Sequence, residues 1–247
     1  MMKISVLTLF PELFHTVLGA SITGRAAKAG ILDFSFVNIR DFSTDKHHRV
    51  DDYPYGAGGG MLMQPQPIYD AYQSLCTDEK PHVVFMSPQG KVFTQADAMR
   101  LSKYPHVAFL CGHYEGVDER VLEEIVDEEL SLGNFVLTGG ELAAMTMIDS
   151  LSRCIPGVLD SAETLDTESV QCGLMEYPQY TRPPVWHEKE APQALSSGNH
   201  QKISLWRRKQ MLKRTLEKRP LMFSEPDLLN TLDKSDIQYI EQLLSEK

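Results

Sequence analysis

The 247-residue sequence predicts an α/β domain built on a parallel sheet, then a flexible join and a small helical domain. Three observations predict it. Short apolar runs of strand character alternate with helical patterns over residues 1–159, and such alternation is the signature of parallel βαβ units. Three of those runs empty straight into glycine-bearing loops. Beyond residue 184 the alternation stops and amphipathic helical patterns take over.

Residues 4–10 (ISVLTLF) read as a buried strand, and Pro11 opens a helix at its first turn, where a missing N–H costs nothing. Residues 34–39 read as a second strand. Residues 40–63 are polar and glycine-rich, and a loop of that length inside a compact domain is usually functional. The apolar run 82–86 ends in Ser87-Pro88-Gln89-Gly90. Thr94 followed by Asp97 resembles a capping box, opening a helix to Lys103. The run 107–111 ends in Gly112-His113-Tyr114-Glu115-Gly116, residues 119–126 read as helix, and the run 135–137 ends in Thr138-Gly139-Gly140. A helix from Gly140 to Arg153 turns Leu142, Met145, Ile148 and Leu151 toward the core. Residues 160–171 are polar without sustained apolar period and read as a linker. The domains are therefore 1–159, the linker 160–171, and 172–247 with helical patterns at 201–218, 225–232 and 234–245.

The three glycine loops together outline a ligand pocket. In an open α/β sheet the ligand crevice lies outside the carboxyl ends of the strands, and glycines there admit a ligand that a Cβ would block. None of the loops is a G-x-G-x-x-G fingerprint or a G-x-x-x-x-G-K-[ST] phosphate loop. Residues 131–141 contain no Lys or Arg, which a diphosphate would want. That favours a nucleoside carrying little negative charge, read by backbone groups.

The net charge of −10 argues against a polyanionic partner, but its distribution argues the reverse. From Gln201 to Arg219, eight cations (Lys202, Arg207, Arg208, Lys209, Lys213, Arg214, Lys218, Arg219) face one acid, Glu217. Such a segment is the footprint of a nucleic-acid contact. Its plainer reading is a solvated helix face, because Ile203, Trp206, Met211, Leu212 and Leu216 form an apolar stripe at helical spacing. Cys76, Cys111, Cys154 and Cys172 fall at no metal-ligand spacing and read as free thiols of a reducing cytoplasm. His47-His48 lacks the partners of a metal site, so no metal site is assigned. The first ten residues lack a signal peptide's cleavage region, and no apolar stretch approaches the ~18 residues that span a membrane.

Ordered motifs run along nearly the whole chain: LTLFPE at 7–12, TGRA at 23–26, VDDYPYGAGGGMLM at 50–63, SPQG at 87–90, CGHYEGVDER at 111–120, LGNFVLTGGE at 132–141, IDSLSR at 148–153, IPGVL at 155–159, YTRP at 180–183, SGNH at 197–200 and Trp206-Arg207. Through them the sequence resembles the bacterial tRNA (guanine-N1)-methyltransferases, a family of the SPOUT class. The resemblance implies a SPOUT-type deep trefoil-knotted parallel-sheet domain followed by a small all-helical C-terminal domain. It also implies a cytoplasmic homodimer that methylates the guanosine 3′ to the anticodon.

S-adenosylmethionine is the implied cofactor, held by Ser87, Pro88, Gly112, Tyr114 and Glu115, by Leu132, Gly133, Asn134, Phe135, Val136 and Leu137, and by Gly139 and Gly140. By the same resemblance Glu176, where the family commonly has Asp, would reach toward the partner subunit's cofactor. The implied partner is the tRNA anticodon stem-loop. Its contacts would be His47, Arg49 and Asp51, then Gly58 and Gly59 in the loop that admits a flipped-out guanine, then Ser197, His200, Arg207 and Arg208. Magnesium is allowed as an assisting ion, although the sequence offers no dedicated oxygen cage.

The chemistry has its own requirements. Guanine N1 bears a proton at neutral pH, so a carboxylate is wanted as general base. Negative charge then builds on O6, where a guanidinium would stabilise it. Arg153 suits the second role, with the plain alternative of a cation complementing the end of its helix. Glu168 stands where the family usually has Asp, with Asp166 as its rival for the base. Two further classes stay open, a SPOUT enzyme acting on another RNA and a non-catalytic RNA-binding protein.

Overall fold

The apolar runs of the first region fold as a parallel sheet in the computed structural model, which describes residues 1–56, 59–77, 80–159 and 173–245. The chain divides into two compact units, Met1–Asp160 and Ser161–Lys247. In the first unit β1 (Met2–Thr8) leads through α1 (Pro11–Leu18) and α2 (Ser21–Lys28) to β2 (Leu32–Asn38). Pro11 occupies the first turn of α1, as its fixed φ and missing N–H allow. Two short antiparallel strands, β3 (Asp51–Asp52) and β4 (Leu62–Met63), precede α3 (Pro65–Gln73). Then come β5 (His82–Val92), α4 (Gln95–Leu101), β6 (His106–Leu110), α5 (Glu119–Ile125), β7 (Glu128–Ser131) and α6 (Glu141–Arg153).

The main sheet has the spatial order β2-β1-β6-β5-β7, with every neighbouring pair parallel. Strands covered by helices on both faces need apolar side chains on both, so β6 is buried at all five positions. One core layer gathers Phe14, Leu18, Phe109, Met147, Ile148 and Leu151. The other gathers Ile39, Ile68, Tyr72, Leu110, Val121 and Ile125. Among the described residues no helix is long and apolar enough to cross a membrane.

The capping box opening α4 is present: Asp97 Oδ2 accepts the Thr94 N–H at 3.0 Å and Thr94 Oγ1 accepts the Asp97 N–H at 3.4 Å. Burial pushes the Asp97 carboxyl up, but hydrogen bonds from Lys91 and Thr94 outweigh it and hold the group at about 2. At the start of β6, His106 Nε2 lies 2.8 Å from Ser5 Oγ of β1, both buried. Burial, helped by nearby Lys3 and opposed by Asp33, pushes this imidazole from 6.5 down to about 4. The unfolded chain therefore binds a proton that the folded chain refuses, and stability present above pH 6.5 is lost as pH falls toward 4. Denaturation midpoints measured across that window should fall with acid, and His106→Gln should flatten that part of the profile.

Several expected elements are corrected. The third strand is β7, at Glu128–Ser131, whereas Phe135, Val136 and Leu137 form an exposed loop. Leu142 points outward from α6, while Met145, Ile148 and Leu151 are buried. Residues 40–63 hold a 3-10 turn, Ile39–Phe42, and the β3–β4 pair rather than plain loop.

The second unit contains a two-stranded antiparallel hairpin, β8 (Val185–Trp186) with β9 (Lys189–Glu190), so the expected all-helical region is not wholly helical. Among the described residues four α-helices follow, α7 (Gln193–Ser196), α8 (His200–Lys218), α9 (Pro226–Leu229) and α10 (Lys234–Ser245), with a 3-10 turn at Pro220–Ser224. Asn199 caps α8 by accepting the Lys202 N–H at 3.1 Å. Leu174, Tyr177, Met211, Leu212 and Leu228 form the unit's core.

Candidate functional site

The site starts from a fault in the β5–β7 ladder. Met86 and Lys91 both face Leu130, so residues 87–90 leave the ladder as a bulge. Residues 112–116 follow β6, and there Tyr114 is left-handed at φ 59°, an uncommon conformation for a residue with a Cβ. Arg40 Nη2 donates to the Tyr114 hydroxyl at 3.3 Å. The loop after β7 then folds back under the second one, where the Gly140 N–H donates to the Gly112 carbonyl at 3.0 Å. A Cβ on Gly140 would lie 2.8 Å from Cys111 Cα, so this close passage of two backbones requires glycine.

Between the three loops lies a cavity of about 280 Å³. Of the expected cofactor residues, Ser87, Pro88, Gly112, Tyr114, Glu115, Leu132, Phe135, Val136, Leu137, Gly139 and Gly140 line it. Gly133 and Asn134 belong to the same loop without lining it. His113, Gly116 and Thr138, of the loops expected to outline the pocket, line it too, and Phe85, Met86, Leu130, Ser131 and Ala143 line it unforeseen. The strand-end residues among these last have the apolar character of core, which hides them in the sequence. Among the described residues the lining includes no Lys or Arg. Cys111, directly behind the cavity, is an inert thiol: burial, then Glu141, push it well above its ordinary range.

The loop expected to meet RNA is fastened to this site. Glu115 donates its N–H to the Met61 carbonyl at 3.0 Å, Met63 to Gly116 at 2.9 Å, and Asp118 to Met63 at 3.1 Å. Asp45 organises the approach by accepting the N–H groups of His47 at 2.8 Å and Arg49 at 3.4 Å. The His47 and Arg49 side chains are exposed, Asp51 is half-buried in β3, and Gly59 is exposed. Gly58 lies outside the described residues. Arg153 closes α6 and is half-buried. Glu168 and Asp166 also lie outside the described residues.

In the second unit, Glu176 is half-buried and its carbonyl accepts from Arg214 at 3.3 Å. Ser197 and His200 are exposed beside the start of α8. The basic helix divides its cations. The Arg207 guanidinium lies 4.7 Å from the centre of the Tyr177 ring, and Lys209 Nζ lies 5.0 Å from that of Tyr239. Arg208 is committed to Asp236, donating at 3.2, 3.2 and 2.6 Å to a carboxylate that is almost fully buried. An Arg in that position holds α8 to α10, a role that charge along the sequence does not reveal.

Comparison with known proteins places the chain in a family. The family model of tRNA (Guanine-1)-methyltransferase TrmD matches residues 2–225. The chain belongs to that family. It is 55% identical over 226 residues to the tRNA (guanine-N(1)-)-methyltransferase of Ruminiclostridium cellulolyticum, covering 91% of this chain and 97% of that one. It is 51% identical to the enzyme of that name from Exiguobacterium over 96% of each chain. A third such enzyme, from Alkaliphilus metalliredigens, is 46% identical over the full length of both.

Proposed function

We propose that the chain is a cytoplasmic S-adenosylmethionine-dependent tRNA (guanine-N1)-methyltransferase acting on the guanosine 3′ to the anticodon. The observation that carries this reading is the cavity at the carboxyl ends of the strands, whose lining among the described residues mixes apolar and polar groups and holds no Lys or Arg, in a chain of this family. Such a lining fits an adenosine without phosphates, whose base edges can be read by the backbone of residues 132–137. S-adenosylmethionine supplies an activated methyl on a sulfonium, so the tasks left to the protein are alignment and activation of the acceptor. Gly112, Tyr114 and Glu115 would hold the donor's middle, and Ser87, Pro88, Gly139 and Gly140 would close around the rest.

The acceptor must lose its N1 proton to a carboxylate, assigned to Glu168 with Asp166 as the alternative. Arg153 then stabilises the charge left on O6. We assign residues 1–159 to catalysis, 160–171 to a linker and 172–247 to tRNA. The SPOUT trefoil knot, with its threaded loops at the cofactor site, is supported by the return of the β7 loop beneath residues 112–116. A homodimer is supported by α1 and α6, which pack together yet leave Leu13, Val17 and Leu142 exposed. Incubation with radiolabelled S-adenosylmethionine and unmodified tRNA, followed by nucleoside digestion, tests the reading. Label in 1-methylguanosine is expected, and label elsewhere or none overturns it.

The tRNA surface gives a separate expectation. Arg207 and Lys202 are cations of α8 outside the Arg208–Asp236 pair. Replacing both with Ala should weaken tRNA binding and reduce the slope of log affinity against log salt by roughly one unit for each phosphate no longer neutralised. Fluorescence titrations at several salt concentrations check it, and an unchanged slope places that face elsewhere. Arg208→Ala is the poorer probe, because it strands a buried carboxylate and costs stability.

A further inference from the structure

A carboxylate beside the pocket has no part in the reading above. Glu141 opens α6 and is only 5% exposed. An acid that merely complements the helix dipole does so at the surface, whereas burial adds a desolvation cost. Glu141 is held in place all the same. Its Oε1 accepts the Thr8 hydroxyl at 2.9 Å, and Thr8 accepts the Phe10 N–H at 3.0 Å, which ties the side chain to the carboxyl end of β1. The other oxygen, Oε2, is turned to Gly139: a Cβ there would lie 2.4 Å from it. The His113 ring lies beside the same point, with Cδ2 at 2.8 Å. Gly139 and His113 both line the cavity. The carboxylate thus stands one side-chainless residue away from the ligand space.

We propose that Glu141 is a specificity-determining residue that lets the pocket distinguish the cationic sulfonium donor from the neutral thioether left after transfer. The inference rests on the cavity being the S-adenosylmethionine site. Donor and product share the adenosine, the α-ammonium and the α-carboxylate, and differ by one methyl group and one positive charge. Among the described residues the lining offers no Lys or Arg to offset a nearby carboxylate. Glu115 also lines the cavity, but its side chain is exposed, where water and salt screen its pull. A buried carboxylate acts through poorer dielectric and attracts the sulfonium more than it affects the thioether. The spent donor therefore leaves more readily than the fresh one.

Calorimetric titration of the full chain with S-adenosylmethionine and with S-adenosylhomocysteine tests this. Glu141→Gln is expected to weaken the donor by roughly tenfold while moving the thioether by less than about twofold, an estimate for one charge several ångströms away. Glu141→Asp, which keeps the charge, should keep most of the discrimination. A purely structural brace predicts that Glu141→Gln weakens both ligands by the same factor, and that result overturns the proposal. A second measurement needs no variant. On the unaltered chain, an analogue with an ammonium in place of the sulfonium should share the donor's advantage over the thioether as it stands in solution, and an analogue no tighter than the thioether also overturns it. Leu137→Arg, at the cavity wall, separates this from failure of the site assignment. If that variant binds both ligands normally, the cavity is not the cofactor site. If it binds neither while Glu141→Gln keeps the donor-to-thioether ratio, only the role of Glu141 fails.

Discussion

Arg153→Ala should abolish methyl transfer while leaving S-adenosylmethionine binding nearly intact. Negative charge on guanine O6 exists only once N1 has lost its proton, so a guanidinium aimed there stabilises the transition state and not the ground state. Removing one such donor costs roughly 10²–10³ in kcat, enough to carry a slow enzyme below detection. Arg153→Lys should recover little, because an ammonium cannot reproduce the planar fork of donors. The competing role is local: Arg153 is the last residue of α6, where a cation complements the helix dipole by ~0.3–1 kcal/mol. That role predicts a small fall in Tm with activity kept. Single-turnover rates beside calorimetric cofactor binding decide between the two, and a variant that loses stability but transfers methyl at the normal rate removes Arg153 from the chemistry.

Local chemistry is legible in the sequence, and long-range pairing is not. Thr94 and Asp97 announce a helix start because the two halves of the cap are three residues apart. Gly112, Gly139 and Gly140 announce a site because glycines recur at the strand ends, and at Gly140 only glycine permits the close passage of two backbones. The strand β7 is hidden in the sequence because Glu128 and Glu129 have the character of surface residues. Glu128 instead sits in the sheet, taking two hydrogen bonds from Arg100 at 2.9 and 2.7 Å and lying 2.7 Å from His82, partners 28 and 46 residues away. Burial pushes its carboxyl up, but those partners hold it below the ordinary range. The apolar trio at 135–137 imitates that strand because periodicity cannot separate a core strand from the wall of a ligand pocket. Arg208 repeats the lesson: its place in a basic run suggests phosphate, while Asp236, 28 residues on, makes it an internal brace.

Glu168→Gln should cut the chemical step by roughly 10²–10⁴-fold with tRNA binding preserved, the loss expected when a general base is removed. The grounds are chemical. A protonated N1 has no lone pair to offer, and a carboxylate within hydrogen-bond reach can take the proton as the methyl arrives. Glu168→Asp should keep substantial activity, since it restores the residue usual in the family and keeps the carboxylate, one methylene shorter. Asp166→Asn should then be nearly silent. A dead Asp166→Asn beside a healthy Glu168→Gln moves the base two residues upstream and changes the register in which this segment meets the acceptor. Rapid-quench single turnovers across pH separate these outcomes, because loss of the base should also remove the acid limb of the rate profile. If both variants transfer methyl at the normal rate, the proton leaves to water and the protein's contribution reduces to alignment and to charge stabilisation by Arg153.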